Sequence, residues 1–174
     1  RKTMEKKNRI LIVDDNESIR QVLQAMLETL GYETETAGDG FEALSKLVFD
    51  IDLILLDILM PGMDGLEVVQ AIRKQEAYKD IPIIMVTGLS SREDKIRAAE
   101  AGANDFISKP IDLTEIKVRT TSLLKMKKAQ DDLKRNQKEL EKIVQRRTLS
   151  LRKSMENVVK AQRQLQSAHL ETIH

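Results

Sequence analysis

The sequence has 174 residues, of which 41% are hydrophobic, 33% are charged and 3% are aromatic. It contains no cysteine, which excludes disulfides and thiolate metal sites, and it lacks the run of about 18 apolar residues that a membrane span needs. We therefore expect a cytoplasmic protein that does not bind membranes, and the low aromatic content indicates that part of the chain is elongated.

The charge is divided unevenly along the chain. Residues 1–111 hold 14 Lys and Arg against 20 Asp and Glu, a net charge of −6, while residues 112–174 hold 15 against 8, a net charge of +7. The basic excess of the second segment would suit nucleic acid, but acidic residues are interspersed and no aromatic follows Phe106. A solvated helix surface is the better interpretation, so we expect no direct binding of nucleic acid.

The first segment alternates short apolar runs with amphipathic stretches, as in a parallel sheet with helices on both faces. Its apolar runs predict five strands, at residues 10–13, 32–36, 53–56, 81–86 and 106–108. Its amphipathic stretches predict helices at residues 17–30, 41–48, 65–75 and 92–101, and a fifth that opens at residues 112–113. The three strands richest in consecutive Ile, Leu and Val should be central, because a strand buried on both faces has no polar side.

The second segment contains neither Gly nor Pro after Pro110, and from Leu123 apolar residues recur at alternating spacings of three and four. Ten of the fourteen a and d positions of this heptad pattern are apolar: Leu123, Met126, Leu133, Leu140, Val144, Leu151, Val158, Ala161, Leu165 and Ala168. The other four are Gln130, Gln137, Arg147 and Ser154. The pattern predicts a coiled-coil helix over residues 121–174, and we expect a homodimer because so long a helix is not stable alone in water.

Acidic and polar residues stand where the predicted strands end. Asp14 and Asp15 follow the first strand and Asp57 the third, while Thr87 follows the fourth and Lys109 the fifth. The carboxyl ends of parallel strands share one edge of a sheet, so these side chains should lie together. Clustered carboxylates repel one another unless a cation neutralises them, and their oxygen ligands suit Mg²⁺.

Such a set of residues is what phosphoryl transfer requires, since the protein positions the reactants and neutralises charge on the phosphoryl oxygens. A carboxylate can itself accept the phosphoryl group and form an acyl phosphate. Asp57 is the candidate, because it ends a strongly apolar strand and precedes a loop in which Pro61, Gly62 and Gly65 permit tight backbone geometry. Singly, these residues have ordinary structural explanations; it is their shared sheet edge that indicates chemistry.

Five stretches, in the same order, resemble the receiver domain of response regulators, the phosphorylation-controlled half of two-component signalling. They are Ile10-Leu-Ile-Val-Asp-Asp15, Leu53-Ile-Leu-Leu-Asp57, Met60-Pro-Gly-Met-Asp-Gly65, Pro82-Ile-Ile-Met-Val-Thr87 and Gly102-Ala-Asn-Asp-Phe-Ile-Ser-Lys-Pro110. The resemblance covers residues 8–120 and implies a flavodoxin-like α/β fold with five parallel strands in the order 2-1-3-4-5. It further implies that a sensor histidine kinase supplies the phosphoryl group and that the domain catalyses only its own phosphorylation and dephosphorylation.

The resemblance also assigns roles around the phospho-acceptor. It implies that Asp15, Asp57 and the backbone carbonyl of Leu59 ligate Mg²⁺, while Asp14 assists through water. Lys109 would pair with the phosphoryl oxygens.

Other positions match two kinds of residue in this family: those that change conformation on phosphorylation and those that influence how long the phosphorylated state lasts. Thr87 would turn towards the phosphoryl group. Phe106 would change between outward and inward rotamers, and ordinary core packing is the alternative for this residue. Leu59 and Leu89 lie two residues after Asp57 and Thr87, where side chains of this family influence the attack of water on the acyl phosphate. Two bulky apolar residues should lengthen the phosphorylated lifetime; packing of both as ordinary loop residues is the alternative.

The last receiver helix is expected to continue into the coiled coil, so that phosphorylation alters the dimer and reaches an output domain. The stretch Ser167-Ala-His-Leu-Glu-Thr-Ile-His174 is similar to the helix that leads into HD-GYP phosphodiesterase domains, which hydrolyse cyclic di-GMP. We therefore expect residues 121–174 to link the receiver to an output enzyme that this sequence lacks, with a diguanylate cyclase as the alternative. His169 and His174 also suggest a kinase phosphoacceptor helix, but Leu170 replaces the acidic neighbour usual in that motif.

Two other classes of protein remain as alternatives. A haloacid-dehalogenase-like phosphatase also forms an aspartyl phosphate with Mg²⁺, but it needs a second Asp two residues after the nucleophile, where Leu59 stands. A purely structural coiled-coil adaptor would leave the carboxylates without a role.

Overall fold

A computed structural model describes residues 6–88 and 91–172 of the chain. The strands are β1 Arg9–Val13, β2 Glu33–Ala37, β3 Leu53–Leu56, β4 Ile83–Thr87 and β5 Asp105–Ser108. The α-helices are α1 Glu17–Thr29, α2 Gly40–Lys46, α3 Gly65–Arg73, α4 Arg92–Ala101 and α5 Leu113–Glu171, and a 3-10 turn at Leu47–Phe49 follows α2. All strand pairs are parallel and their order is β2-β1-β3-β4-β5, which confirms the predicted fold.

The three most apolar strands, β1, β3 and β4, are the central ones, as predicted. Successive side chains of a strand point to opposite faces of the sheet, so each central strand contributes to two cores. On one face Leu11, Ile54 and Met85 pack with the buried side chains of α2, α3 and α4. On the other face Ile12 and Leu55 pack with those of α1 and the first turns of α5. Both faces are covered, which explains why these strands have no polar side.

Several element boundaries differ from the predicted ones by one or two residues. The fourth strand begins at Ile83 rather than at residue 81, because the Ile81 N–H donates to the carbonyl of Tyr78 and Pro82 has no N–H. The third helix ends at Arg73 rather than at residue 75. The Gln75 N–H donates to the backbone carbonyl three residues earlier, which is a tighter turn than that of an α-helix. In the edge strand β2, every residue except Ala37 retains some exposure, and its polar residues give the sequence only a weak strand pattern.

The long helix α5 belongs to two compact units, one that ends at Lys128 and another that begins at Ala129. In the first unit, Ile116 and Thr120 are buried, and Leu123 packs against the core on the α1 side of the sheet. The first a position of the heptad is therefore used by the core of that unit. In the second unit, every described residue from 133 onwards is exposed, and His174 lies outside the described residues. The uninterrupted helix is confirmed, and its pairing as a coiled coil stays a prediction.

Within residues 6–88 and 91–172, no helix combines the length and hydrophobicity that crossing a membrane requires.

Candidate functional site

The carboxyl edge of the sheet brings together acidic side chains that follow β1 and β3. Carboxylate oxygens of Asp14, Asp15 and Asp57 all lie within 4.8 Å of one another. Asp14 and Asp57 are only 1% and 5% exposed, whereas Asp15 is open to solvent. The Asp57 N–H donates to the carbonyl of Val13 at 2.9 Å, and this continuation of the ladder between β1 and β3 places Asp57 beside Asp14. The cluster is thus a direct consequence of how these two central strands pair.

Lys109 supplies positive charge to this cluster. Its Nζ lies 3.0 Å from Oδ2 of Asp14 and 3.4 Å from Oδ2 of Asp57. Its backbone N–H donates to the carbonyl of Thr87 at 2.9 Å, so the ladder between β4 and β5 fixes where the side chain begins. One ammonium against three carboxylates leaves the ionised cluster negative, which suits a divalent cation.

The electrostatics of the cluster act on Asp57 in opposite directions. Burial raises the pKa of Asp57 and the charge of Asp14 raises it further, while Lys109 and the backbone N–H of Leu59 oppose the change without cancelling it. Burial lowers the pKa of Lys109, but its contacts with Asp14 and Asp57 outweigh that effect and raise the pKa overall. Asp57 is therefore more basic than an ordinary aspartate and is held beside a permanent cation, an environment typical of functional carboxylates.

The loop between β3 and α3 runs close to the backbone of Asp57. A Cβ on Gly65 would lie 2.2 Å from the Asp57 carbonyl oxygen and 2.8 Å from Cα of Ile58, so a residue with a side chain does not fit there. Asp64 begins α3 with a capping box, in which its carboxylate accepts from the Glu67 N–H at 2.9 Å and Glu67 accepts from the Asp64 N–H at 2.8 Å. Glycine and cap together fix the end of the loop that follows Asp57.

The remaining residues singled out in the sequence lie near the same edge or outside the described residues. Thr87 is buried at the end of β4, and Phe106 in β5 is half-buried against the core on the α3 and α4 side. The side chain of Leu59 is 60% exposed in the loop after Asp57. Leu89 is not among the described residues, so its predicted role in phosphate lifetime has no structural counterpart here.

Two residues that the sequence did not single out also contact the cluster. Asn16 caps α1 through its side chain, and its backbone N–H donates to Oδ1 of Asp14 at 2.9 Å. Arg20, one helical turn later, donates from Nη1 to the backbone carbonyl of Asp14 at 2.5 Å. The position of Arg20 one turn after the cap is visible in the sequence, but an arginine on an amphipathic helix carries no signal that its target is a carbonyl.

The chemistry of the cluster fits Mg²⁺. All three potential ligand atoms are carboxylate oxygens, which this hard cation prefers and which softer transition metals do not require. Two of the carboxylates are buried beside one another, so a divalent cation would relieve the repulsion that Lys109 neutralises in part.

A model of the response regulator receiver domain family matches residues 10–121 of the chain. The chain belongs to this family. Within the receiver domain, Asp14, Asp15 and Asp57 thus form the acidic pocket, which could hold a metal ion. No helix-breaking residue separates the matched region from the rest of α5.

Curated relatives share the receiver domain and are longer proteins. The response regulator PleD of Caulobacter vibrioides is 41% identical over 130 residues, which cover 74% of this chain and 29% of PleD. The probable transcriptional regulator ycf27 of Cyanophora paradoxa is 44% identical over 122 residues, which cover 68% of this chain and 49% of that protein. The chain therefore spans less than half the length of either relative.

Solved receiver structures have the same fold. The chemotaxis protein CheY4 of Vibrio cholerae is 39% identical with a TM-score of 0.65, and the match covers 68% of this chain and 99% of that one. The signal receiver domain of a signal transduction histidine kinase from Syntrophus aciditrophicus is 38% identical with a TM-score of 0.63, and the match covers 68% and 90%. A chemotaxis protein and the receiver domain of a histidine kinase thus share this fold, so the fold does not specify the output.

Proposed function

We propose that Asp57 accepts a phosphoryl group from a sensor histidine kinase, and that the chain is a phosphorylation-controlled signalling module that turns over no external substrate. One observation carries this proposal: a buried aspartate with a raised pKa lies 3.4 Å from Lys109 and within 4.8 Å of two further carboxylates. A structural aspartate does not need such surroundings, whereas a nucleophile for phosphoryl transfer does.

The transfer conserves atoms and charge in a single displacement. A carboxylate oxygen of Asp57 attacks the phosphorus of a phosphohistidine, the bond between phosphorus and nitrogen breaks, and the departing imidazole takes up a proton from solvent. The products are an aspartyl phosphate and a neutral histidine. Lys109 stands where it can pair with the phosphoryl oxygens as they arrive, and Thr87 ends the neighbouring strand with a hydroxyl that can donate to them.

Bound Mg²⁺ would neutralise the phosphoryl oxygens during this displacement. Asp15, Asp57 and the backbone carbonyl of Leu59 would hold the ion, with Asp14 acting through water. Phe106 and Thr87 would then respond to the phosphoryl group as switch residues, supported by their positions at β5 and the end of β4.

Intact-mass measurement after incubation with Mg²⁺ and acetyl phosphate tests the proposal. The wild-type chain should gain one phosphoryl group, and Asp57→Asn should gain none because the nucleophile is removed. Asp52→Asn is the matched control, since Asp52 precedes the same strand at its opposite end and should leave uptake unchanged.

Other outcomes would favour the competing classes. Continuous release of inorganic phosphate without an accumulated phosphoprotein would indicate a phosphatase. If neither the wild-type chain nor Asp57→Asn reacts, the structural coiled-coil adaptor would be the remaining interpretation.

We further propose that the receiver domain occupies residues 8–120 and that residues 121–174 form a dimeric coiled-coil linker. Support comes from the exposed apolar side chains at a and d positions of the second unit, among them Leu140 at 61% and Leu151 at 63% exposure. Burying a leucine contributes about 1.5 to 3 kcal/mol, and pairing with a second copy would bury the whole stripe.

A charged residue at one of the a or d positions should weaken the dimer. Leu140→Lys removes two buried leucines per dimer, a loss of about 3 to 6 kcal/mol, so its dissociation constant should rise by about 100-fold or more. Leu149→Lys is the matched control, because Leu149 is 58% exposed but occupies an f position. Sedimentation equilibrium measures both, and equal effects of the two substitutions would contradict the heptad register.

The output is proposed to be a domain beyond residue 174 in a longer protein, with a cyclic di-GMP phosphodiesterase as the first candidate. Two observations support this: both cited relatives are more than twice as long as their matched regions, and residues 167–174 are similar to a helix that precedes HD-GYP domains.

A further inference from the structure

Asp14 is held at each of its polar groups. Its N–H donates to the carbonyl of Ala37 at 3.2 Å, which extends the ladder between β1 and β2. Its carboxylate accepts from the Asn16 N–H at 2.9 Å and from Nζ of Lys109 at 3.0 Å. Its backbone carbonyl accepts from Nη1 of Arg20 at 2.5 Å. The first three partners stabilise the end of β1 or the charge of the carboxylate. The fourth, Arg20, binds the carbonyl of the peptide group that leads to Asp15.

That peptide connects Arg20 to Asp15. The carbonyl of Asp14 and the N–H of Asp15 lie in one planar unit, so fixing the direction of the carbonyl also fixes the plane from which Asp15 starts. Asp15 is exposed and is not packed in place by a core, unlike Asp14 and Asp57. The orientation of its carboxylate therefore depends on the backbone that carries it.

The guanidinium of Arg20 lies against the turn that precedes α2. A Cβ on Gly38 would lie 3.5 Å from Nη1 and 3.8 Å from Cζ of Arg20, so the guanidinium rests against this glycine. The carboxylate of Glu42 attracts Arg20, and it is fixed by the Gly38 N–H at 2.8 Å and by Lys46 at 3.0 Å. Arg20 thus lies between the turn before α2 and the end of β1.

We propose that Arg20 is a positioning residue of the Mg²⁺ site, which orients Asp15 through its hydrogen bond to the Asp14 carbonyl. This inference depends on the proposed function in one respect, namely that Asp15 is a ligand of the bound ion. Arg20 touches neither the ion nor the phosphoryl group.

Removing Arg20 should change the affinity for Mg²⁺ in opposite directions, depending on whether Arg20 acts through its charge or by positioning Asp15. Arg20 is a cation beside a site for a cation, so loss of its charge alone would tighten Mg²⁺ binding. Loss of a contact that orients a metal ligand weakens binding, typically by 10- to 100-fold. The direction of the change in affinity therefore separates the two roles, and a purely structural role would lower the melting temperature without changing affinity.

Calorimetric titration of Mg²⁺ into the metal-free chain, well below the melting temperature of each variant, tests the inference. Arg20→Met should raise the dissociation constant by about 10-fold. Arg20→Lys keeps the charge and one donor, so it should recover much of the affinity. Arg97→Met is the matched control, since it removes one exposed arginine of α4 and should leave the affinity within about twofold.

Phosphoryl uptake from acetyl phosphate gives a second readout. At saturating Mg²⁺, Arg20→Met should react at nearly the wild-type rate, and the defect should appear only at low Mg²⁺. An unchanged or lower dissociation constant of Arg20→Met for Mg²⁺ would overturn the inference. Slow phosphoryl uptake by this variant that saturating Mg²⁺ does not correct would overturn it as well. If Arg20→Met does not fold, Arg20→Ala, which also has no side-chain donor, is titrated instead with the same criteria. A wild-type chain that binds no Mg²⁺ would refute the proposed function itself, an outcome distinct from wild-type binding that Arg20 does not affect.

Discussion

Replacing Lys109 with Met should lower the free energy of unfolding of the metal-free receiver domain by about 3 to 5 kcal/mol, the usual cost of removing one partner of a buried ion pair. The Lys109 ammonium lies 3.0 Å from one carboxylate of the cluster and 3.4 Å from another. Its removal leaves Asp14 and Asp57 buried side by side with no cation between them. Urea unfolding followed by circular dichroism in the presence of EDTA measures the loss.

Mg²⁺ should restore much of the stability that Lys109→Met removes, because the ion can neutralise the same carboxylates. We therefore expect saturating Mg²⁺ to stabilise this variant more than it stabilises the wild-type domain. Lys79→Met is the matched control: Lys79 pairs with Glu76 at the surface, and loss of such a pair costs less than about 1 kcal/mol. Equal losses for the two lysine variants would show that Lys109 is not the counter-charge of the cluster.

The fold could be predicted from the sequence because its central strands are short, continuous apolar runs. The run from residue 53 to 56 has no polar alternation, which is typical of a strand covered on both faces. The edge strand β2 is harder to place, since Glu33, Thr34 and Glu35 give it little apolar character and its pairing with β1 sets where it begins and ends.

The carboxylate cluster was predictable for a related reason, and Arg20 was not. Parallel topology places every strand end on one edge, so Asp14, Asp57 and Lys109 could be grouped before any geometry was known. Arg20 acts on a backbone carbonyl, and no residue type in the sequence marks which carbonyl it will reach. Leu123 shows a similar limit, because a heptad pattern does not distinguish packing on a core from pairing with a second helix.

The substitution Asp57→Asn should stabilise the metal-free receiver domain at neutral pH, although it abolishes the proposed chemistry. Burial and the charge of Asp14 raise the pKa of Asp57, so the folded state holds this proton more tightly than the unfolded state does. The contribution of Asp57 to stability is therefore complete below the ordinary pKa of an aspartate and is lost as the pH rises through the raised pKa. Above that pH, an ionised Asp57 opposes folding, and the neutral amide of Asn does not.

The stability difference between Asp57→Asn and the wild-type domain should consequently grow as the pH rises above the ordinary pKa of an aspartate, and it should become constant once the pH exceeds the raised pKa of Asp57. Urea unfolding in EDTA at a series of pH values measures it. At saturating Mg²⁺ the wild-type domain should be more stable than Asp57→Asn, because the ion interacts more strongly with the Asp57 carboxylate than with the amide of Asn. A difference that is independent of pH, or a variant less stable than the wild type in EDTA, would mean that Lys109 fully offsets the burial of Asp57. The nucleophile would then be held in place at no cost to folding, and the pKa of Asp57 in the folded domain would not be raised.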